Sequence, residues 1–171
     1  MRMRLVVSMV VMLTSVIWFG SIGAAADFVV DDFSGAKQDG SNINSNSRTW
    51  SAYGGLGIKL SDRSLVASGK LDVWGGFVAE PGPNGQNGAP IPVTGKSIIT
   101  VVCKGVVPKI KLELYDNNRT PYELWFAPQS GKATLNLPLP KAIVAGGVIS
   151  KILFGISPGD INFTVYSITI K

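Results

Sequence analysis

Residues 108–127 read PKIKLELYDNNRTPYELWFA. Ile110, Leu112 and Leu114 alternate with Lys109, Lys111, Glu113 and Tyr115. A period of two marks a strand with one face on the core and the other in water. Beyond Asp116-Asn117-Asn118, the residues Tyr122, Leu124 and Phe126 alternate with Glu123 and Trp125. Two such runs around a polar turn predict a hairpin. Pairing Leu114 with Leu124, both inward, sets Tyr115 opposite Glu123 and Glu113 opposite Trp125. The turn then falls at Asn118-Arg119-Thr120, and the outward face carries Lys111, Glu113, Tyr115, Glu123 and Trp125.

That outward set suits sugar recognition. An aromatic ring stacks on the apolar C–H face of a pyranose, while carboxylates and amines hydrogen-bond the hydroxyls at its edge. Cross-strand aromatic–charge pairs also stabilise exposed sheets with no ligand, so both uses stay open. Leu71-Asp72-Val73-Trp74 repeats the theme, with Asp72 and Trp74 sharing one face. Gly75-Gly76 follows, where a bulge or close backbone approach is expected. Trp50 and Tyr53 each suit a groove wall or the core, and for Trp50 the core is expected.

Working outward, no stretch sustains a helical period for three turns. Strands are expected at 28–33, 56–61, 64–67, 71–79, 97–103, 108–115, 122–127, 132–137, 149–156 and 161–170. Turn clusters such as Ser61-Asp62-Arg63 and Ser157-Pro158-Gly159-Asp160 separate them. About ten short strands predict an all-β antiparallel sandwich or jelly roll. Residues 34–49 and 80–95 are expected as long loops, and residues 142–147 as a short helix ended by Gly146-Gly147.

Composition narrows the chemistry. The 171 residues include no His and one Cys. That excludes Ser-His-Asp catalysis, His-ligated zinc and an intrachain disulfide. Cys103, inside an apolar run, is expected as a buried small hydrophobe. The mean hydropathy of +0.27 is high for a soluble chain, but its source is the beginning. Arg2 and Arg4 precede an apolar run from Leu5 to Phe19, and Ala24-Ala25-Ala26 follows. The run is shorter than the ~20 residues that span a bilayer. It predicts a signal peptide over 1–26, cleaved after Ala26, and a secreted or periplasmic β-sandwich domain over 27–171. Past the leader no apolar segment is long enough to span a membrane. The remaining basic residues are scattered singly, which gives no stripe for nucleic acid.

Phe28-Val29-Val30-Asp31-Asp32-Phe33, a Gly/Asn-rich stretch and Trp50 resemble the opening of galactose-binding-like jelly rolls. So do Ile152-Leu153-Phe154-Gly155-Ile156 and Phe163-Thr164-Val165-Tyr166-Ser167-Ile168-Thr169-Ile170 at the end. The Asp-Asp-Phe opening is most similar to family 11 carbohydrate-binding modules and the complex I intermediate-associated protein 30 type. The resemblance implies a secreted non-catalytic module that binds a glycan or polysaccharide and requires no cofactor. It also implies a structural calcium near the terminal strands, for which Asp31, Asp32 and Asp160 are the available oxygen donors. Calcium takes about six to eight oxygens, so carbonyls or water would complete the shell. The other role for these three is turn capping.

The ligand set expected is Trp125, Glu123, Tyr115, Glu113, Trp74 and Asp72. Two other functions use the same residues. An extracellular structural or adhesion protein would press the aromatic–charge face on another protein. A small glycoside hydrolase would use Glu113 and Glu123, since that reaction needs only two carboxyl groups, roughly 5–5.5 Å apart when the configuration is retained.

Overall fold

Alternating apolar and polar residues build strands from almost the whole described chain. The computed structural model describes residues 26–45, 48–81 and 90–171. The predicted leader lies outside these residues except for Ala26, and so does 82–89 of the second expected loop. In chain order the strands begin β1 (Phe28–Asp31), β2 (Lys37–Asp39), β3 (Asn42–Ser45), β4 (Arg48–Tyr53), β5 (Gly57–Ser61), β6 (Ser64–Leu71) and β7 (Gly75–Pro81). Next come β8 (Ile91–Pro92), β9 (Ile98–Val106), β10 (Ile110–Tyr115), β11 (Pro121–Phe126) and β12 (Ala133–Pro138). A short helix α1 (Lys141–Gly146) precedes β13 (Val148–Ile149), β14 (Lys151–Ile156) and β15 (Gly159–Ile170).

The front sheet has seven strands in the order β11-β10-β14-β7-β4-β3-β2. The back sheet has six, ordered β12-β9-β15-β6-β5, with β1 also pairing β15. All the pairings are antiparallel. The result is the all-β sandwich of jelly-roll type that the alternation predicts.

The core is apolar from both sheets. Trp50, Phe77, Ile110, Leu112, Leu114 and Phe154 point in from the front, and Leu65, Ile99, Val101, Phe163 and Val165 from the back. Phe77 and Phe154 stack with centroids 4.7 Å apart, and Phe163 touches both from the opposite sheet at 6.3 and 6.0 Å. Cys103 is buried as expected, and burial pushes its thiol up to about 11. The β5–β6 turn has Asp62 and Arg63 both at positive φ, 44° and 57°. Two left-handed central residues make the hairpin turn that matches strand twist.

Three expectations need correcting. Residues 34–49 are not a loop. They hold β2, β3 and the start of β4. This edge hairpin escapes pattern reading because β2 is exposed throughout and one of its few buried positions is Ser45 rather than an apolar residue. The second correction concerns 71–79, which is not one strand. Residues 72–74 form the corner where the chain leaves the back sheet at Leu71 and enters the front sheet at Gly75. The corner is tight: a Cβ on Gly54, itself at φ +69°, would lie 2.6 Å from the Cα of Gly75.

The third correction is the hairpin register. Leu112, not Leu114, pairs with Leu124, so Glu113 faces Glu123 and Lys111 faces Trp125. Asp116 decides this. Its Oδ1 accepts the N–H groups of Asn118 and Thr120, both at 2.8 Å. The left-handed turn position falls on Arg119, at φ 63°. The expected register would have moved that position to β-branched Thr120, which strongly resists it. A slip of two residues keeps every side chain on its own face, so the outward set is unchanged.

Candidate functional site

The outer face of the front sheet carries a row of aligned residues that crosses five strands. Trp125 pairs with Lys111, Lys111 with Gly155, Gly155 with Gly76, and Gly76 with Tyr53. The two glycines leave the middle of the row without side chains. A Cβ on Gly155 would sit 3.1 Å from Cε of Lys111, and one on Gly76 would collide with the carbonyl of Phe154 and crowd the Tyr53 hydroxyl. Lys111 and Tyr53 therefore lie down over the glycine floor. The next row is Glu123, Glu113, Leu153, Val78 and Ser51.

The polar groups form one connected chain. Lys111 Nζ lies 2.7 Å from Oε1 of Glu113 and 2.5 Å from Oε1 of Glu123. The Tyr115 hydroxyl donates to Oε2 of Glu113 at 2.7 Å, and Trp125 Nε1–H donates to Oε2 of Glu123 at 3.1 Å. Every carboxylate oxygen is engaged. Without Lys111, Glu113 and Glu123 would be like charges directly opposite on neighbouring strands, which is destabilising.

The electrostatics follow. Burial works to lower the Lys111 ammonium, but its bonds to Glu113 and Glu123 prevail and hold it above its ordinary range. The Lys111 hydrogen bond holds the Glu123 carboxyl below the usual carboxylate range. The bond to Glu113, then burial, pushes the Tyr115 phenol up to about 12. Burial, and then the Glu113 charge, raises Tyr53.

Large apolar surface flanks this network. Trp74 and Trp125 are each 44% exposed and Tyr53 is 37% exposed. Trp74 meets Trp125 edge to face with centroids 6.0 Å apart. Lys111 Nζ is 5.5 Å from both rings, and Lys109 Nζ is 4.3 Å above Trp125. The corner at 72–74 thus returns Trp74 to the rim of the hairpin, although the two are far apart in sequence.

Of the six expected ligand residues, the structure brings five together: Trp125, Glu123, Tyr115, Glu113 and Trp74. Asp72 sits exposed on the corner, outside both rows. Two residues join the site beyond that set. Lys111 was placed on this face by alternation alone, with nothing to show that it bridges two carboxylates. Tyr53 reaches it only through β14 and β7.

The acidic trio Asp31, Asp32 and Asp160 is not gathered. Asp31 is buried, its Oδ1 accepting Phe33 N–H and Ser45 Oγ–H at 2.8 Å each, its Oδ2 accepting Trp50 Nε1–H at 2.7 Å. Asp32 caps its own turn through Ser34, accepting N–H at 2.9 Å and Oγ–H at 2.6 Å. Asp160 pairs with Lys70, eight residues along β15 from Ile168, the partner of Asp31. At ~3.3 Å per residue the separation is about 26 Å. The turn-capping role describes Asp31 and Asp32, and these three residues do not fit one shared calcium. Among the described residues no three His, Cys, Asp or Glu side chains are grouped to hold a metal ion.

The chain is an antiparallel β-sandwich of jelly-roll type with an aromatic platform and a satisfied ion network on one outer face. Solved family 29 carbohydrate-binding modules share the fold. A mutant complexed with mannohexaose aligns at a TM-score of 0.62 with 11% identity, covering 84% of this chain and 89% of that one. A second mutant, complexed with cellulohexaose, aligns at 0.61 with 11% identity and the same coverage. A family 29 module without a named ligand aligns at 0.60 with 12% identity, covering 84% and 86%. No family model matches the sequence, and no curated protein matches it.

Proposed function

We propose that this protein is an exported, non-catalytic module that binds a glycan chain across the outer face of the front sheet. The observation that carries the reading is the row Trp125–Lys111–Gly155–Gly76–Tyr53, with Trp74 beside it. Exposed rings stand at both ends of a floor kept low by glycine, and a charge network fixes the ring beside Lys111 before any ligand arrives. Preorganisation of this kind lowers the ordering cost of binding. Mannohexaose and cellulohexaose, bound by the structural neighbours, are the first ligands to try.

The same geometry argues against a hydrolase built on Glu113 and Glu123. A glycosidase acid needs a carboxyl held protonated by a raised pKa. Here Glu123 is held low by Lys111, and the ammonium occupies the space between the carboxylates that a scissile bond would need. Export rests on the leader pattern in residues 1–26. Among the described residues, no helix is long and apolar enough to cross a membrane.

Calorimetric titration with mannohexaose, cellulohexaose and a panel of polysaccharides tests the reading. Binding that Trp125→Ala weakens by about tenfold or more, with an unchanged circular dichroism spectrum, is the expected result. Absence of binding to every glycan, or binding indifferent to Trp125, Trp74 and Tyr53 alike, would overturn it.

A further inference from the structure

The back sheet carries a second aromatic site of different character. β15 bulges between Val165 and Ser167, and Tyr166 is the extra residue, unpaired in the ladder. A bulge re-aims a side chain. The half-buried Tyr166 ring takes two ammonium groups, Lys132 Nζ at 4.2 Å and Lys104 Nζ at 5.9 Å from its centroid. Two lysines on one ring also occur at Trp125 on the front face, but there Lys111 is tied to two carboxylates.

The register widens the patch. Lys104 pairs with Thr164, Thr164 with Val66 and Val66 with Lys59, so they share one row on the outer face. At ~4.8 Å per strand, the backbones of Lys104 and Lys59 lie about 14 Å apart. Lys132 stands next to Ala133, the partner of Cys103, and so beside Lys104. Lys59, Lys104 and Lys132 are all exposed. Among the described residues of these rows, the acid on this face is Asp160, opposite Lys70, two outward positions along β15 from Thr164. The front face differs: there two carboxylates bind Lys111. Around Tyr166 the lysines meet a ring and keep their outward field.

We propose that this patch binds an acidic glycan whose pyranose rings carry carboxylates, a uronate polymer. The carboxylates pair with Lys104, Lys132 and Lys59, and a C–H face lies on the exposed part of Tyr166. A repeating anionic chain suits ammonium groups spread along one row, whereas a single small anion would use only one or two of them. The proposal does not depend on the front-face reading. Together the two sites would let one molecule hold a neutral and an acidic chain on opposite sides.

The test is affinity electrophoresis of the full chain in polygalacturonate and in alginate, with polyphosphate as an anion lacking sugar rings. Retention by a uronate polymer at low salt is expected, and it should weaken as salt screens the lysines. Lys104→Ala with Lys132→Ala should reduce it about tenfold. Tyr166→Ala, or Tyr166→Leu if alanine unfolds the bulge, should reduce retention by uronate and leave polyphosphate retention unchanged. Trp125→Ala should change neither. No retention by either uronate polymer would overturn the proposal, as would retention indifferent to the lysines. Equal loss for uronate and polyphosphate in the Tyr166 variants, or no loss for either, would also overturn it, because the patch would then read charge without sugar.

Discussion

Trp50 and Trp125 make the same bond with opposite consequences. Each donates its indole N–H to a carboxylate, Trp50 to Asp31 at 2.7 Å and Trp125 to Glu123 at 3.1 Å. Trp50 is 0% exposed and Trp125 44%. Around Trp50 stand Phe33, Phe77 and Phe154, with ring centroids at 6.0, 5.9 and 6.3 Å. Asp31 is held further by Phe33 and Ser45; burial lowers the nearby Arg48 guanidinium, and the Asp31 charge opposes that only in part. Around Trp125 stand Trp74 at one edge and two lysines, and the rest of the ring is exposed. The hydrogen bond orients both rings. What surrounds the ring decides whether it is sealed in the core or stands open on the surface.

The comparison breaks first at Trp50. Trp50→Ala is expected to cost about 3–5 kcal/mol, read as a fall in the urea midpoint. A cost below about 1 kcal/mol would mean that the aromatic cluster closes over the gap and Trp50 anchors nothing. Trp125→Ala should move the melting temperature by no more than about 4 °C while removing glycan affinity. A thermal loss matching that of Trp50 would erase the distinction drawn between the two rings.

Lys111→Met sharpens the front half of the comparison through pH. In the native protein Lys111 titrates above its ordinary 10.5, so its contribution to stability is full below that value and is lost as pH rises through the native pKa. Glu123 titrates below its ordinary 4.5, so its contribution is present above 4.5 and is lost as pH falls through the native pKa. The stability gap between wild type and Lys111→Met should therefore be widest from near neutrality to mildly alkaline pH and narrow at pH well below 4.5. Thermal melts across pH measure it, and a gap independent of pH would show that Lys111 acts only by packing. The smallest effect concerns Tyr115. Its phenol should ionise near 12, and Glu113→Gln should bring it back toward 10.0, seen by ultraviolet absorbance.

Alternation alone placed Lys111, Glu113, Tyr115, Glu123 and Trp125 on one face, and that face survived a wrong register because the slip was even. The jelly-roll class was legible for the same reason: strand period and turn chemistry are local. The rest depends on contacts that sequence neighbours do not make. Ser45 occupies a buried strand position and bonds to the distant Asp31, so its polarity hides β3 from pattern reading. Trp74 read as a strand residue because alternation runs on through Asp72, whereas the backbone contact between Gly54 and Gly75 turns the chain there. Tyr53 belongs to the site because β4 lies beside β7, a neighbour relation that no local pattern encodes. The opening Asp-Asp pair suggested metal chemistry, and the indole and serine that consume Asp31 come from elsewhere in the fold.

The position of β15 has a consequence for how the molecule comes to exist. It comes after β6, β9 and β1 in sequence, yet all three bond to it. Phe28 waits for Ile170, and Cys103 for Val165. Until residues 159–170 have been made, β9 and β6 have no common neighbour and the back sheet has no centre. Assembly by such distant partners is slow compared with local pairing. A growing chain therefore lacks the centre of its back sheet until β15 is made, and a variant without residues 159–170 should lose the β-sheet circular dichroism signal.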